Sequence, residues 1–292
     1  FLCSVPVAIA VGLAAVAGLG LFTSLPLVLV AQQAFASLDK FPLAAVPFFI
    51  LAGNLMGEGG ISRRLVDFAK SLVGGVQGGL ACTCILTCMI FAAVSGSSVA
   101  TTFAIGAILI PAMVKHGYPI TFAASLQASA AELGVIIPPS IPMILYGVAA
   151  EVSIGELFVA GFGPGLLIAA ALMLSVLVWC RLRGYGKNDR EGRLSPWPAT
   201  KAAGLALMMP VIILGGIYGG VFTPTEASIV AVFYALVVSC FIYRELDLTG
   251  VVAILRKSVV SSSVIMLIIA MAGLFSFLLT RAGVPAQIGA YI

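Results

Sequence analysis

Two short stretches hold the residue types that could do chemistry in this chain: Ser95-Gly96-Ser97-Ser98, and Ile136-Ile137-Pro138-Pro139-Ser140-Ile141-Pro142. Three prolines within five residues remove three backbone donors and disfavour helix before each ring. A helix that carries them must be interrupted, which leaves carbonyl oxygens without partners. Serine hydroxyls add neutral oxygens, and helix N-termini beside them favour an anion. Na⁺ is a hard cation that takes oxygen ligands, so the two stretches together have the makings of a carrier's cation site. Gly96 and Gly134 would let two backbones approach closely. Taken singly, the serine stretch reads equally well as a small-residue packing seam and the proline stretch as a kink. Their adjacency, each near the middle of an apolar segment, favours the site.

Four more polar residues stand out against apolar surroundings as candidates for substrate binding or coupling: Ser140, Glu132, Asn54 and Thr225. A carboxylate at membrane depth is costly and by default functional. Two roles are open to Glu132: a proton-coupling group, or an acceptor for amides freed around the break. Thr225-Glu226 follows Pro224 and resembles a helix N-terminus, where a carboxylate offsets the dipole. Capping is favoured there over a transport role. Asn54 predicts an interhelical hydrogen bond.

The elements that must position these residues are apolar helices. Apolar residues make up 61% of the 292 and charged residues 9%, against roughly 25% charged in a soluble domain. A chain so poor in charge has lipid for most of its solvent. At about 20 residues per span, it has room for eight to ten crossing or re-entrant segments. Apolar runs occupy Val5–Val30, Phe41–Met56, Leu72–Val114, Ile120–Ala150, Leu157–Cys180, Ala202–Val221, Ala227–Tyr243 and Ser258–Thr280. The loop Arg181–Lys201 is rich in Lys and Arg, which places it in the cytoplasm. Alternating outward from that anchor puts all but Lys40 and Arg281 of the 15 basic residues inside. Leu72–Val114 begins and ends on the same side, so it doubles back, either by crossing fully or as a re-entrant hairpin. Ile120–Ala150 is too long for one simple span and is broken at its prolines. Non-helical backbone survives at that depth only when buried in protein or lining a cavity.

Other classes fit less well. A membrane enzyme built on Ser97 needs a base within reach, and the single histidine, His116, falls at the inner boundary. A channel concentrates charge or carbonyl rings on a symmetric axis. No basic stripe interleaved with aromatics points to nucleic acid. Cys82, Cys84 and Cys88 read as small packing residues in helix interfaces rather than a metal site, with Cys3, Cys180 and Cys240 scattered. The chain has no signal peptide and no initiator Met, which suggests a fragment.

At these residues the chain resembles the large membrane subunit (M subunit) of tripartite ATP-independent periplasmic (TRAP) transporters. The matching blocks are PFFILAGNLMGEGGISRRLVDFAKSLVG (Pro47–Gly74), AAVSGSSVATTFAIGAILIPAM (Ala92–Met113), ELGVIIPPSIPMILYGV (Glu132–Val148) and GGIYGGVFTPTEAS (Gly215–Ser228). With the spacing between them they cover essentially the whole chain. The resemblance implies an all-α polytopic protein of the bacterial inner membrane, built of inverted repeats around a re-entrant hairpin and a broken helix. It implies an elevator mechanism driven by a sodium gradient, with no cofactor beyond Na⁺ as coupling ion. It implies a small membrane subunit and a periplasmic substrate-binding protein as partners, and a small organic anion (a C4-dicarboxylate, a sialic acid or a similar carboxylate) as substrate. The family's sodium motifs map onto Ser95, Gly96, Ser97 and Ser98, and onto Gly134, Ile137, Pro138 and Pro139. An elevator-type symporter without a binding protein is the nearest alternative. Residues 1–193 then form the first repeat, with its hairpin at about 72–114 and its broken helix at about 120–150. Residues 194–292 hold the end of the cytoplasmic loop and an incomplete second repeat, whose LLTRAGVPAQIGAYI faintly echoes NLMGEGGISRRL. The second half-site is expected to be missing, and the chain alone is expected not to transport.

Overall fold

The computed structural model describes residues 5–23, 25–187, 189 and 195–290. Cys3, Arg190, Arg193 and the boundary at 193/194 lie outside them. Among the described residues every regular element is helical. Among the described residues, six helices are long and apolar enough to cross a membrane, and seven if one bent pair counts as a span. Three shorter apolar helices accompany them, Val7–Phe22, Val28–Leu38 and Gly79–Ser95.

The chain divides into two compact units. The first joins residues 1–43 to 259–292. Its core is Ala15 and Leu19 of α1 (Val7–Phe22) against Leu274 of α13 (Leu248–Arg281), with Val30 of α2 (Val28–Leu38) packed on the same cluster. The expected single run Val5–Val30 is therefore two helices. Gly12 faces Met271 and Gly18 faces Leu278, so α1 lies parallel to this part of α13.

The second unit, residues 44–258, carries the candidate site. A short 3-10 turn leads into α3 (Ala45–Glu58), and α4 (Ile61–Val73) follows an αL Gly60. Helix α4 is amphipathic, burying Ile61, Leu65, Val66 and Ala69 and exposing Arg63 and Asp67. It is fastened by Arg64, which lies 2.6 Å from Glu245 and 3.6 Å over the Tyr243 ring. The expected hairpin is present as α5 (Gly79–Ser95) and α6 (Ser98–Lys115). Its first arm starts at Gly79 rather than Leu72, because Leu72 and Val73 complete the last turn of α4.

The expected broken helix is α7 (Ile120–Ala131), one turn of α8 (Leu133–Ile136) and α9 (Ile141–Ala150), bent by 40°. Helix α10 (Ile154–Arg183) runs 30 residues, past the expected loop start at Arg181, and α11 (Pro196–Tyr218) begins before Lys201. Helix α12 (Pro224–Leu236) ends in a π turn, Val237–Ile242. The N-cap of α12 is Thr223, not the expected Thr225. Pro224 takes the first helical position, and Thr223 and Glu226 close a capping box, with Thr223 N–H 2.8 Å from the carboxylate. Thr225 is buried inside the helix.

At the base of the hairpin two loops cap each other's helices. Asp189, 1% exposed, accepts from Tyr118 Oη at 2.6 Å and from Leu80 N at 3.0 Å, so its carboxylate sits on the N-terminus of α5. His116 Nδ1 lies 3.3 Å from the other Asp189 oxygen. In return, Gln77 Nε2, just before α5, donates to Cys180 O and Tyr185 O at the C-terminus of α10. Burial first, and then the Asp189 carboxylate, push the Tyr118 phenol far above its ordinary pKa, so it stays a donor.

Candidate functional site

The tip of the hairpin and the break of the proline helix meet. Gly96 adopts φ +61°, an αL cap that ends α5, and its carbonyl accepts from Ile141 N at 3.0 Å. A Cβ on Gly96 would stand 2.8 Å from Pro139 O, and one on Gly134 would stand 3.0 Å from Ser97 O. The sequence reading of these two glycines as close-approach points is what the backbone requires. Ser95, Gly96, Ser97, Gly134, Pro139 and Ser140 are thus brought together, with Ile137 and Pro138 in the same break. Ser98 opens α6 beside them, its carbonyl accepting from Thr102 Oγ1 at 2.8 Å.

Pro138 has no N–H for Gly134 O, Pro139 none for Val135 O, and Pro142 none for Pro138 O. The Ser140 hydroxyl covers Val135 O at 2.5 Å, and Ile137 N covers Leu133 O at 2.8 Å. Ile141 N turns away to Gly96 O and leaves Ile137 O free of it. Among the described residues no N–H reaches the carbonyls of Gly134, Ile136, Ile137, Pro138 or Pro139, nor those of Ala93, Val94 and Ser95 at the end of α5. Buried backbone carbonyls are paired in the great majority of cases. The junction therefore gathers open carbonyl oxygens, with no carboxylate among them.

Of the further candidates, Ser140 is fully buried and caps α9, its oxygen 3.5 Å from Met143 N. Glu132 is exposed at the joint between α7 and α8. Its carboxylate takes up none of the amides freed at the break, because the joint turns it outward. Asn54 donates to Ser258 Oγ at 2.8 Å, the interhelical bond expected of it, joining α3 to the start of α13. Thr225 is buried on α12, and its carbonyl accepts from Ser228 Oγ.

Several supporting residues escaped the sequence reading. Thr101 is fully buried, and its Oγ1 lies 2.8 Å from Ser97 O and 3.2 Å from Ser95 Oγ. Gln127, 1% exposed, donates to Thr101 O at 3.3 Å and accepts from Cys84 Sγ at 3.0 Å. Cys84 and Cys88 thus sit on the Gln127 side of α5, within the packing role expected of them. Gly53 lies against Ser95, and Gly161 and Gly165 lie against Ile136 and Ile137. The Gly161-xxx-Gly165 spacing is a small-residue signature of close helix approach and was available in the sequence. Thr101 had a signal too, a hydroxyl one turn after Ser97.

A family model described as "Tripartite ATP-independent periplasmic transporter, DctM component" matches residues 1–292. Among curated relatives, an isethionate TRAP transporter permease protein of Oleidesulfovibrio alaskensis is 46% identical over 285 residues, 97% of this chain and 45% of the relative. A C4-dicarboxylate TRAP transporter large permease protein of Rhodobacter capsulatus is 39% identical over 307 residues, 100% of this chain and 69% of the relative. A sialic acid TRAP transporter large permease protein of Vibrio cholerae is 40% identical, with 89% of this chain and 61% of the relative covered. The chain thus spans about half to two thirds of the length of these relatives. With the helices and the match over its whole length, the chain belongs to the DctM-component family of tripartite ATP-independent periplasmic transporters and is a multi-pass inner-membrane protein.

Proposed function

We propose that this chain is part of the membrane subunit of a sodium-coupled secondary transporter that imports a small organic anion. The observation that carries the reading is the cage of open carbonyls where the hairpin tip meets the helix break. Na⁺ entering it satisfies oxygens that the prolines left unpaired, and in doing so holds tip and break together. The N-termini of α6 and α9 beside the cage favour an anionic substrate once the cation is in place. Binding of the two is thereby coupled, because each lowers the electrostatic cost of the other. The relatives' names assign them isethionate, C4-dicarboxylates and sialic acid, so a small organic acid is the substrate class. A periplasmic binding protein delivers it, and a small membrane subunit accompanies the chain. Residues 1–193 act as one repeat of an inverted pair whose moving part is the hairpin with the broken helix. The echo of α3–α4 in α13 and the helix after it, α14 (Val284–Gly289), supports that reading: Gly60 at φ +76° and Gly283 at φ +71° are the left-handed N-caps of α4 and α14.

Uptake into proteoliposomes holding the subunits and binding protein, under an imposed Na⁺ gradient, tests this. Saturable, Na⁺-dependent uptake is expected. Pro138→Ala restores an N–H that can close Gly134 O, so it should raise the Na⁺ concentration for half-maximal uptake. Ohmic, Na⁺-independent flux would overturn the proposal in favour of a channel. Uptake that follows a pH gradient and is abolished by Glu132→Gln would replace Na⁺ with H⁺.

A further inference from the structure

We propose that Thr101 is a positioning residue of the cation site, deciding by its single proton which oxygens of the hairpin tip are free to take the ion. The proposal rests on the cation reading above.

Thr101 Oγ1 lies 2.8 Å from Ser97 O, and a carbonyl can only accept, so the threonine proton occupies that bond. Thr101 Oγ1 also lies 3.2 Å from Ser95 Oγ. With the Thr101 proton spent, Ser95 must supply the proton of this second bond. The Ser95 oxygen then keeps its lone pairs, and among the described residues no donor falls on it: it is the acceptor-only oxygen a cation needs. The Ser97 carbonyl is in the opposite state. It accepts from Thr101 Oγ1 and also from Thr101 N at 3.1 Å, which fills both its lone pairs. One side chain therefore opens Ser95 Oγ and closes Ser97 O.

A helical threonine often bonds the carbonyl four residues back, and that bond alone signifies little. Thr102 supplies the contrast. It makes the same bond to Ser98 O at 2.8 Å, is only half-buried, and reaches no second hydroxyl. Thr101 is fully buried, meets Ser95, and faces the break, where a Cβ on Gly134 would come within 3.0 Å of its oxygen. Its place is also held from behind. The buried Gln127 donates to its carbonyl and is itself tied to Cys84 on the other arm of the hairpin. The valine variant keeps the shape of Thr101 but frees the Ser95 proton, which then competes with a cation for the oxygen's surroundings.

The test uses the 292-residue chain in lipid nanodiscs, reading its thermal midpoint against NaCl, with KCl holding ionic strength constant. The wild type is expected to show a saturable, Na⁺-specific rise. Thr101→Val should raise the half-effective Na⁺ concentration roughly tenfold or more, the equivalent of about 1.4 kcal/mol. Thr101→Ser should stay within about threefold of wild type, as should Thr102→Val, on the scale of a lost or kept hydrogen bond. A half-effective concentration for Thr101→Val matching wild type would overturn the proposal, as would Thr101→Ser failing equally. If the valine variant does not fold, Thr101→Ala takes its place under the same criterion. Failure of both to fold, with Thr101→Ser folding, would make the hydroxyl structural and overturn the proposal too. A wild-type chain indifferent to Na⁺ would instead overturn the cation reading itself, and the role of Thr101 with it.

Discussion

The two ends of the α5–α6 hairpin solve the same problem in opposite ways. A helix end leaves backbone groups without intrahelical partners, and away from water these are costly. At the base, side chains from distant loops satisfy them: Asp189 caps α5, Gln77 caps α10, and Tyr118 pins the turn between α6 and α7. At the tip, prolines remove the donors and the carbonyls stay open. The base is tied by side chains, whereas the tip keeps its carbonyl oxygens open, the feature on which the proposed cation site rests.

The largest expected effect lies at the base. Asp189→Ala leaves the Leu80 N–H and the Tyr118 hydroxyl buried without an acceptor, and should destabilise the chain by about 3 kcal/mol. Urea unfolding in detergent measures this. Maleimide labelling of Cys180, which is buried under the clasp, should become fast in the same variant. Asp189→Asn keeps an acceptor and should cost about half as much. If the alanine variant unfolds like wild type, the base is not a clasp and the contrast with the tip fails.

Next comes Gly96→Ala. The new Cβ must sit at φ +61° and 2.8 Å from Pro139 O, costing about 2 kcal/mol. It should also abolish the Na⁺-specific rise in thermal midpoint. Loss of stability with an intact Na⁺ response would separate tip geometry from ion binding. Thr223→Ala, at the exposed N-cap of α12, should cost about 1 kcal/mol and leave the Na⁺ response alone, which thermal melts with and without Na⁺ will show.

The smallest effect is that of acid on Asp247. Its carboxylate accepts from Thr249 Oγ1 and then from Gly250 N, which holds its pKa below the ordinary value. A depressed folded pKa means that its contribution is present above about pH 4 and is lost as pH falls through the folded value. The difference in thermal midpoint between wild type and Asp247→Asn should therefore be small at neutral pH and vanish on acidification. A difference that grows in acid would reverse the assignment.

What was legible in the sequence was what composition and covalent chemistry dictate. Pro138, Pro139 and Pro142 lack N–H groups in any fold, so the break and its open carbonyls could be read directly. Charge at the loops and length in the Leu72–Val114 run required a reversal, and the structure has it at Gly96. The expected cap at Thr225 fell two residues late, because boundaries depend on which hydroxyl actually meets the N3 amide. Glu132 drew attention as an acid in an apolar run, but which side of a helix joint a side chain leaves is set by packing. The roles of Asp189 and Gln127 were beyond the sequence for one reason. Their hydrogen-bond partners lie 109 and 43 residues away, and only the folded chain decides which donor meets which acceptor. The sequence by itself determined that oxygens would be left open at the tip; the tertiary structure decided which ones stay open, because each proton can serve only one partner.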